Sequence, residues 1–187
     1  MKIKNFIIAI AMVLFLTAPA FAAYVDTFTT DSSIKTSLEL LQSIGADEVF
    51  NNLEENCVKI SFYDLSQISF SYANHFAINS VDSMGNRYIL INSKYRKASP
   101  EEIACIIAHE SFHKLAVATL EEETLATQKE AHYWGILKDE DKDYDDSALL
   151  SRLDGLVELS DASTQDNDLI KEKITRSSFY RAQLAIR

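Results

Sequence analysis

Along the chain, hydrophobic positions fall into three patterns. The first is a solid run, Phe6 to Leu16, behind Lys2 and Lys4 and ahead of Ala20-Phe21-Ala22. The second is a stripe: Ile34, Leu38, Leu41 and Ile44 recur every three or four residues and Gly45 follows, which predicts a helix over 32–44. A short helix over 47–53 comes next. The third is alternation. Cys57-Val58-Lys59-Ile60-Ser61-Phe62-Tyr63 changes sides at every residue and predicts a strand. Phe76–Val81 and Arg87–Asn92 flank Asp82-Ser83-Met84-Gly85-Asn86, which predicts a hairpin. From Pro100 onward the period is helical again, with expected helices over 100–118, 120–137, 146–160 and 165–184. A short sheet followed by a run of helices is an α+β layout. The expectation is therefore a mostly helical single domain over 23–187, with a small antiparallel sheet preceding the helix that starts at Pro100.

The first pattern is an address. A positive start, an apolar run too short for a comfortable bilayer span and an A-x-A end make residues 1–22 a signal peptide cut after Ala22. No later run is long enough to span a membrane. The mature chain is thus expected in a periplasm or secreted. Twenty-eight acidic against 18 basic residues give a net charge of −10, the wrong sign for gripping phosphates, so nucleic acid is not an expected partner. Export places the two cysteines, Cys57 and Cys105, where a bridge can form. Two buried reduced thiols, each a small core residue, is the equal alternative.

Candidate chemistry is concentrated at His109-Glu110-Ser111-Phe112-His113, an HExxH motif. At 100° per residue the two imidazoles lie one turn apart on one helix face, a spacing that grips one zinc ion. Glu110 beside them is placed to take a proton from a metal-bound water. Ile103 to Ala108 is apolar nearly all round, so the helix is expected at the centre of the fold. Two imidazoles and a carboxylate there are costly without a partner, which a divalent cation supplies.

A catalytic zinc site takes a third protein ligand. Glu121, Glu122, Glu123, Glu130 and His132 are the downstream choices. Ser99-Pro100-Glu101-Glu102 is a capping box with proline at the first helical position, so the motif helix starts there. Thr119-Leu120-Glu121-Glu122 is a second box. If a new helix begins at Thr119, Glu122 folds back onto the cap and Glu123 starts a line with Ala126 and Glu130 that turns toward His113. Glu123 ranks first on that basis. One unbroken helix through 114–137 would instead carry Glu123 about 15 Å along the axis from His113, out of reach of a shared ion.

These segments resemble a known family. Tyr88–Asn92, Ser99–Ala104, the HESFH motif, Glu122–Ala126 and Ala131–Trp134 are similar to a minimal gluzincin, a zincin-like metallopeptidase in which HExxH and a glutamate on the next helix hold zinc. The resemblance covers residues 88–134. It implies Zn2+ as cofactor, His109, His113 and a downstream glutamate as ligands, Glu110 as general base and a peptide or protein as substrate. It also implies that Arg87–Asn92 is an edge strand that docks extended substrate, with Tyr88, Leu90 and Asn92 in contact; the apolar alternation of this strand also allows a plain inner strand of a small sheet. Tyr133, His132 and Tyr180 are the available electrophilic helpers, each competing with a simple packing role.

The expected function is an exported zinc-dependent metallopeptidase. The alternative is a non-catalytic metal-binding or interaction protein on the same fold. The acidic run Asp139–Asp146 falls short of a calcium loop, with Tyr144 at the glycine position and Leu150 at the twelfth, and reads as a solvated loop.

Overall fold

The computed structural model describes residues 24–114, 118–162 and 168–177. The expected signal peptide and Tyr180 lie outside these residues. Helix α1, Ser32–Ser43, is capped by Asp31, whose Oδ1 accepts from the Ser33 amide, and buries Ile34, Leu38 and Leu41. It stops where predicted, at Gly45, which takes φ of 72°. Helix α2, Asp47–Glu55, buries Val49, Phe50 and Leu53.

Three strands follow: β1 (Lys59–Tyr63), β2 (Ala77–Val81) and β3 (Arg87–Asn92). Cys57, placed in the strand by its alternation, sits before it with φ of 49° and turns the chain out of α2. The hairpin forms as expected: the Asp82 amide donates to the Asn86 carbonyl, and Gly85 supplies the positive φ the turn needs.

The sheet departs from expectation in two ways. It is mixed rather than antiparallel, because β1 pairs with β3 in parallel while β2 pairs with β3 antiparallel. And β3 is its central strand, in the order β1-β3-β2. Tyr88 to Ile91 has strand partners on both sides, so Tyr88, Leu90 and Asn92 do not line an edge that can accept an extended peptide. The cause is the apolar run Tyr88-Ile89-Leu90-Ile91, which the sheet covers by placing a strand on either side.

Helix α3, Pro100–Ser111, opens with the predicted capping box: Ser99 Oγ accepts from the Glu102 amide and Glu102 Oε2 accepts from the Ser99 amide. Every residue from Glu102 to Ser111 is buried. The helix lies among α1, α2 and the hairpin on one side and α4 (Leu120–Leu137) and α5 (Ala148–Ala162) on the other. A sixth described helix, α6 (Asp168–Arg176), packs on α4 and α5 through Ile170 and Ile174. Ile103 and Ile107 of α3 meet Ile89 and Ile91 of β3, Leu38 of α1 and Trp134 of α4 in one continuous core. Trp134 is fully buried, and its indole Nε1 donates to Asp154 Oδ1 at 2.8 Å, so the ring enters the core without an unpaired donor. Among the described residues no helix is long and apolar enough to cross a membrane.

Of the two thiol readings, the structure has the reduced one. Cys57 is exposed on its turn and Cys105 is buried in α3, and both are free. Asp139–Asp146 is a mostly exposed loop, fastened by Lys142, whose ammonium donates to both Glu101 oxygens at 2.7 Å.

Candidate metal centre

The motif helix ends inside its own motif. After Ser111 the chain tightens, with Phe112 donating to the His109 carbonyl and His113 to the Glu110 carbonyl, both at 3.2 Å. His113 therefore lies just past the helix but keeps its place one turn beyond His109. The two rings face each other, Nε2 to Nε2 at 3.1 Å.

A new helix then starts, as the second capping box predicts. Thr119 Oγ1 accepts from the Glu122 amide, and Glu122 Oε2 accepts from the Thr119 amide. Glu122 adds a tie that local sequence does not reveal: its Oε1 accepts from the Lys114 amide at 2.6 Å. One carboxylate thus joins the end of the His113 segment to the start of α4. The chain folds back at that point, and the long continuous helix does not form.

The fold-back selects among the five ligand choices. Glu121 is exposed, Glu122 is spent on the cap and His132 is exposed beside Tyr133. Glu123 is buried, with Oε1 3.5 Å from His113 Nε2 and Oε2 3.7 Å from His109 Nε2. His109, His113 and Glu123 are the described group whose donor atoms converge as metal ligands would. Two donors at about 2.0–2.2 Å from a tetrahedral ion stand roughly 3.3–3.6 Å apart. The three separations of 3.1, 3.5 and 3.7 Å straddle that spacing. Glu123 Oε2 is buried and has no hydrogen-bond partner, a cost that a cation between the three groups removes.

Glu130 stands behind His109. Its Oε2 is 3.0 Å from His109 Nδ1, while Arg152 of α5 grips the same carboxylate through Nε (3.0 Å to Oε1) and Nη2 (2.5 Å to Oε2). This carboxylate pairs with His109 by charge at close range, without an aimed hydrogen bond at Nδ1, and favours a proton on that nitrogen. Burial pushes the Glu130 carboxyl up, but Arg152 and His109 outweigh it and hold it at about 2. Burial opposes charge on His109 too, yet Glu130, Glu123 and Glu110 raise its pKa above the ordinary value. His113 lacks such backing. Burial and the neighbouring His109 lower its pKa to about 3, so its ring is neutral and ready to donate a lone pair.

Glu110 is buried between the two histidines in sequence. Burial, reinforced by Glu123 and Glu130, lifts its carboxyl to about 7 against the opposing pull of His109 and a hydrogen bond from Asn79. A carboxyl poised near neutrality exchanges protons at little cost in either direction. Burial likewise raises the Glu123 carboxyl.

Of the expected electrophilic helpers among the described residues, His132 faces solvent. Tyr133 is buried with its pKa raised to about 12 by burial and by the charges of Glu48 and Asp47 on α2. Three contributors escaped the sequence reading. Arg152 anchors Glu130. Asn79 Nδ2 donates to the Glu110 carbonyl at 2.6 Å, and Arg87 Nη2 donates to the His113 carbonyl at 3.1 Å. Each is a polar side chain on an inward face or beside a buried stripe, the one local sign that marks such residues. The chain matches no protein-family model, no curated protein and no solved structure.

Proposed function

We propose that the protein is an exported zinc-dependent metallopeptidase with Glu110 as general base. One observation carries the reading: two imidazole Nε2 atoms and a buried, unpartnered carboxylate oxygen converge from α3 and α4, with a proton-exchanging carboxylate next in sequence to the first imidazole. His109, His113 and Glu123 would hold the metal. When bound, a zinc ion supplies Lewis acidity to a water and to the substrate carbonyl. Glu110 takes the water's proton during attack on the peptide bond and delivers it to the departing amine. Glu130, held by Arg152, keeps His109 in the tautomer that presents Nε2. Two neutral imidazoles with one carboxylate are a donor set suited to zinc rather than to calcium or magnesium, which prefer oxygen.

The substrate edge moves from β3 to β2. Ala77–Val81 is an outer strand of the described sheet and abuts α3 through Asn79, so its unpaired side is the place where an extended peptide adds as a further strand. Export rests on the residues 1–22 pattern, and the absence of a spanning helix among the described residues is compatible with it.

The non-catalytic alternative is a metal-binding protein with the same converging donors and no cleavage. Glu110→Gln separates the two readings. The purified protein is expected to hold about one zinc per chain, to cleave peptides, and to lose cleavage on chelation and regain it with zinc. The variant should keep its zinc and lose roughly 10²–10⁴-fold in rate. Zinc retention with no cleavage by the wild type would leave the metal-binding alternative. A zinc-free, zinc-indifferent protein would end both.

A further inference from the structure

The inward face of the hairpin is built from three rungs: Ala77 opposite Ile91, Asn79 opposite Ile89 and Val81 opposite Arg87. Side chains on one strand alternate, so these six share a face. Ala77, Ile89 and Ile91 are buried against the core, as that face requires. Asn79 breaks the pattern at the rung that meets the end of α3. Its Nδ2 donates to the Glu110 carbonyl at 2.6 Å. Its Oδ1 is buried with no partner. An apolar residue would spare that orphan acceptor, and Arg87 already supplies a donor to the helix end one rung away, through Nη2 to the His113 carbonyl. The amide thus costs the fold something and ties the outer strand to the main chain of one residue, Glu110.

We propose that Asn79 is the positioning residue of the general base, bracing Glu110 through its main chain relative to the metal ligands and to the outer strand β2. The proposal rests on the peptidase reading for its kinetic consequence and on the hydrogen bonds alone for its structural one. Asn79 acts through Glu110, so its loss lowers turnover without releasing metal. A displacement of the base by an ångström is enough for about a hundredfold loss.

The test compares wild type, Asn79→Ala, Glu110→Gln and the double variant, all zinc-loaded, on the quenched-fluorescence peptide that wild type cleaves fastest. Asn79→Ala should lower kcat between tenfold and a hundredfold, with KM changed less than twofold and zinc content intact. In the Glu110→Gln background it should have no further effect. An equal fractional loss in both backgrounds, or loss of zinc in step with activity, overturns the proposal. If wild type and Glu110→Gln cleave equally, the peptidase reading falls. Hydrogen exchange of residues 109–114 in the zinc-loaded protein then decides: faster exchange in Asn79→Ala with the rest of α3 unchanged upholds the brace, and unchanged exchange ends it. Should Asn79→Ala not fold, Asn79→Asp keeps the volume, removes the donor and must give the same result.

Discussion

Replacing Arg152 with methionine separates what the Glu130 anchor does for the fold from what it does for the metal. Glu130 is 2% exposed, and the guanidinium grips it at two points. Without Arg152 the carboxylate keeps only His109 Nδ1, and a buried charge stripped of its main partner costs about 3–5 kcal/mol. At roughly 2–4 °C per kcal/mol for a chain of this size, the midpoint should fall by about 6–20 °C. The acid limb changes too. The folded Glu130 pKa of about 2 lies below the ordinary 4.5, so the pair's contribution is complete above about 4.5 and drains as pH falls toward 2. In Arg152→Met that limb should flatten. The metal responds separately: a Glu130 that protonates no longer polarises the His109 N–H, and zinc affinity should weaken about 10–100-fold. Urea unfolding of the zinc-free protein and zinc competition against a chromophoric chelator measure the two effects independently. The double variant Glu130→Gln, Arg152→Met removes both charges of the pair, so it should regain most of the stability while its zinc affinity stays low. A single variant within about 1 kcal/mol of wild type that binds zinc normally would refute the reasoning.

Zinc binding should expel protons near pH 6.5, because His109 and Glu123 both titrate above their ordinary values while His113, at about 3, is already neutral. Calorimetry of Glu110→Gln in buffers of different ionisation heat reads this release, and no proton released would contradict the assigned directions. Thr119→Ala should cost about 1 kcal/mol in urea unfolding, since it removes the acceptor for the Glu122 amide. It should also weaken zinc binding measurably, because Glu122 ties Lys114 to the start of α4; unchanged affinity would mean that Glu123 is held in place by packing alone. In the absence of reductant, native protein should show Cys57 reacting with a maleimide and Cys105 reacting only on unfolding, whereas a protein with no titratable thiol would carry a bridge between them.

The features that decide the centre divide by sequence range. Where α3 starts and where α4 restarts are matters of a few neighbouring residues, and Ser99 with Glu102 and Thr119 with Glu122 state them in the sequence because a cap is satisfied within its own turn. The restart in turn is what makes Glu123 the converging carboxylate. Glu130 shows where local reasoning thins. Seven residues past Glu123, it lies about 10 Å farther along α4, too far to share the ion yet level with the far side of the His109 ring. Helix spacing placed it on the right face without revealing which nitrogen it meets. Arg152, 22 residues farther on, is settled only by how α5 docks, and its one local trace is a cation beside the buried Leu149, Leu153 and Leu156. The position of β3 follows the same rule. Its pairing with β2 is a matter of one turn, but its parallel partner β1 lies back across β2 and two short helical turns, Leu65–Gln67 and Phe70–Tyr72, a pairing that no alternation encodes. Tyr88-Ile89-Leu90-Ile91 nevertheless carried the clue: a strand apolar on both faces is read better as an inner strand than as an edge. The groups that converge are therefore written in neighbours and the groups that tune them in distant charges. A centre of this kind can keep its ligands through substitutions that change its proton chemistry, and Asn79, Glu130 and Arg152 are where such substitutions act.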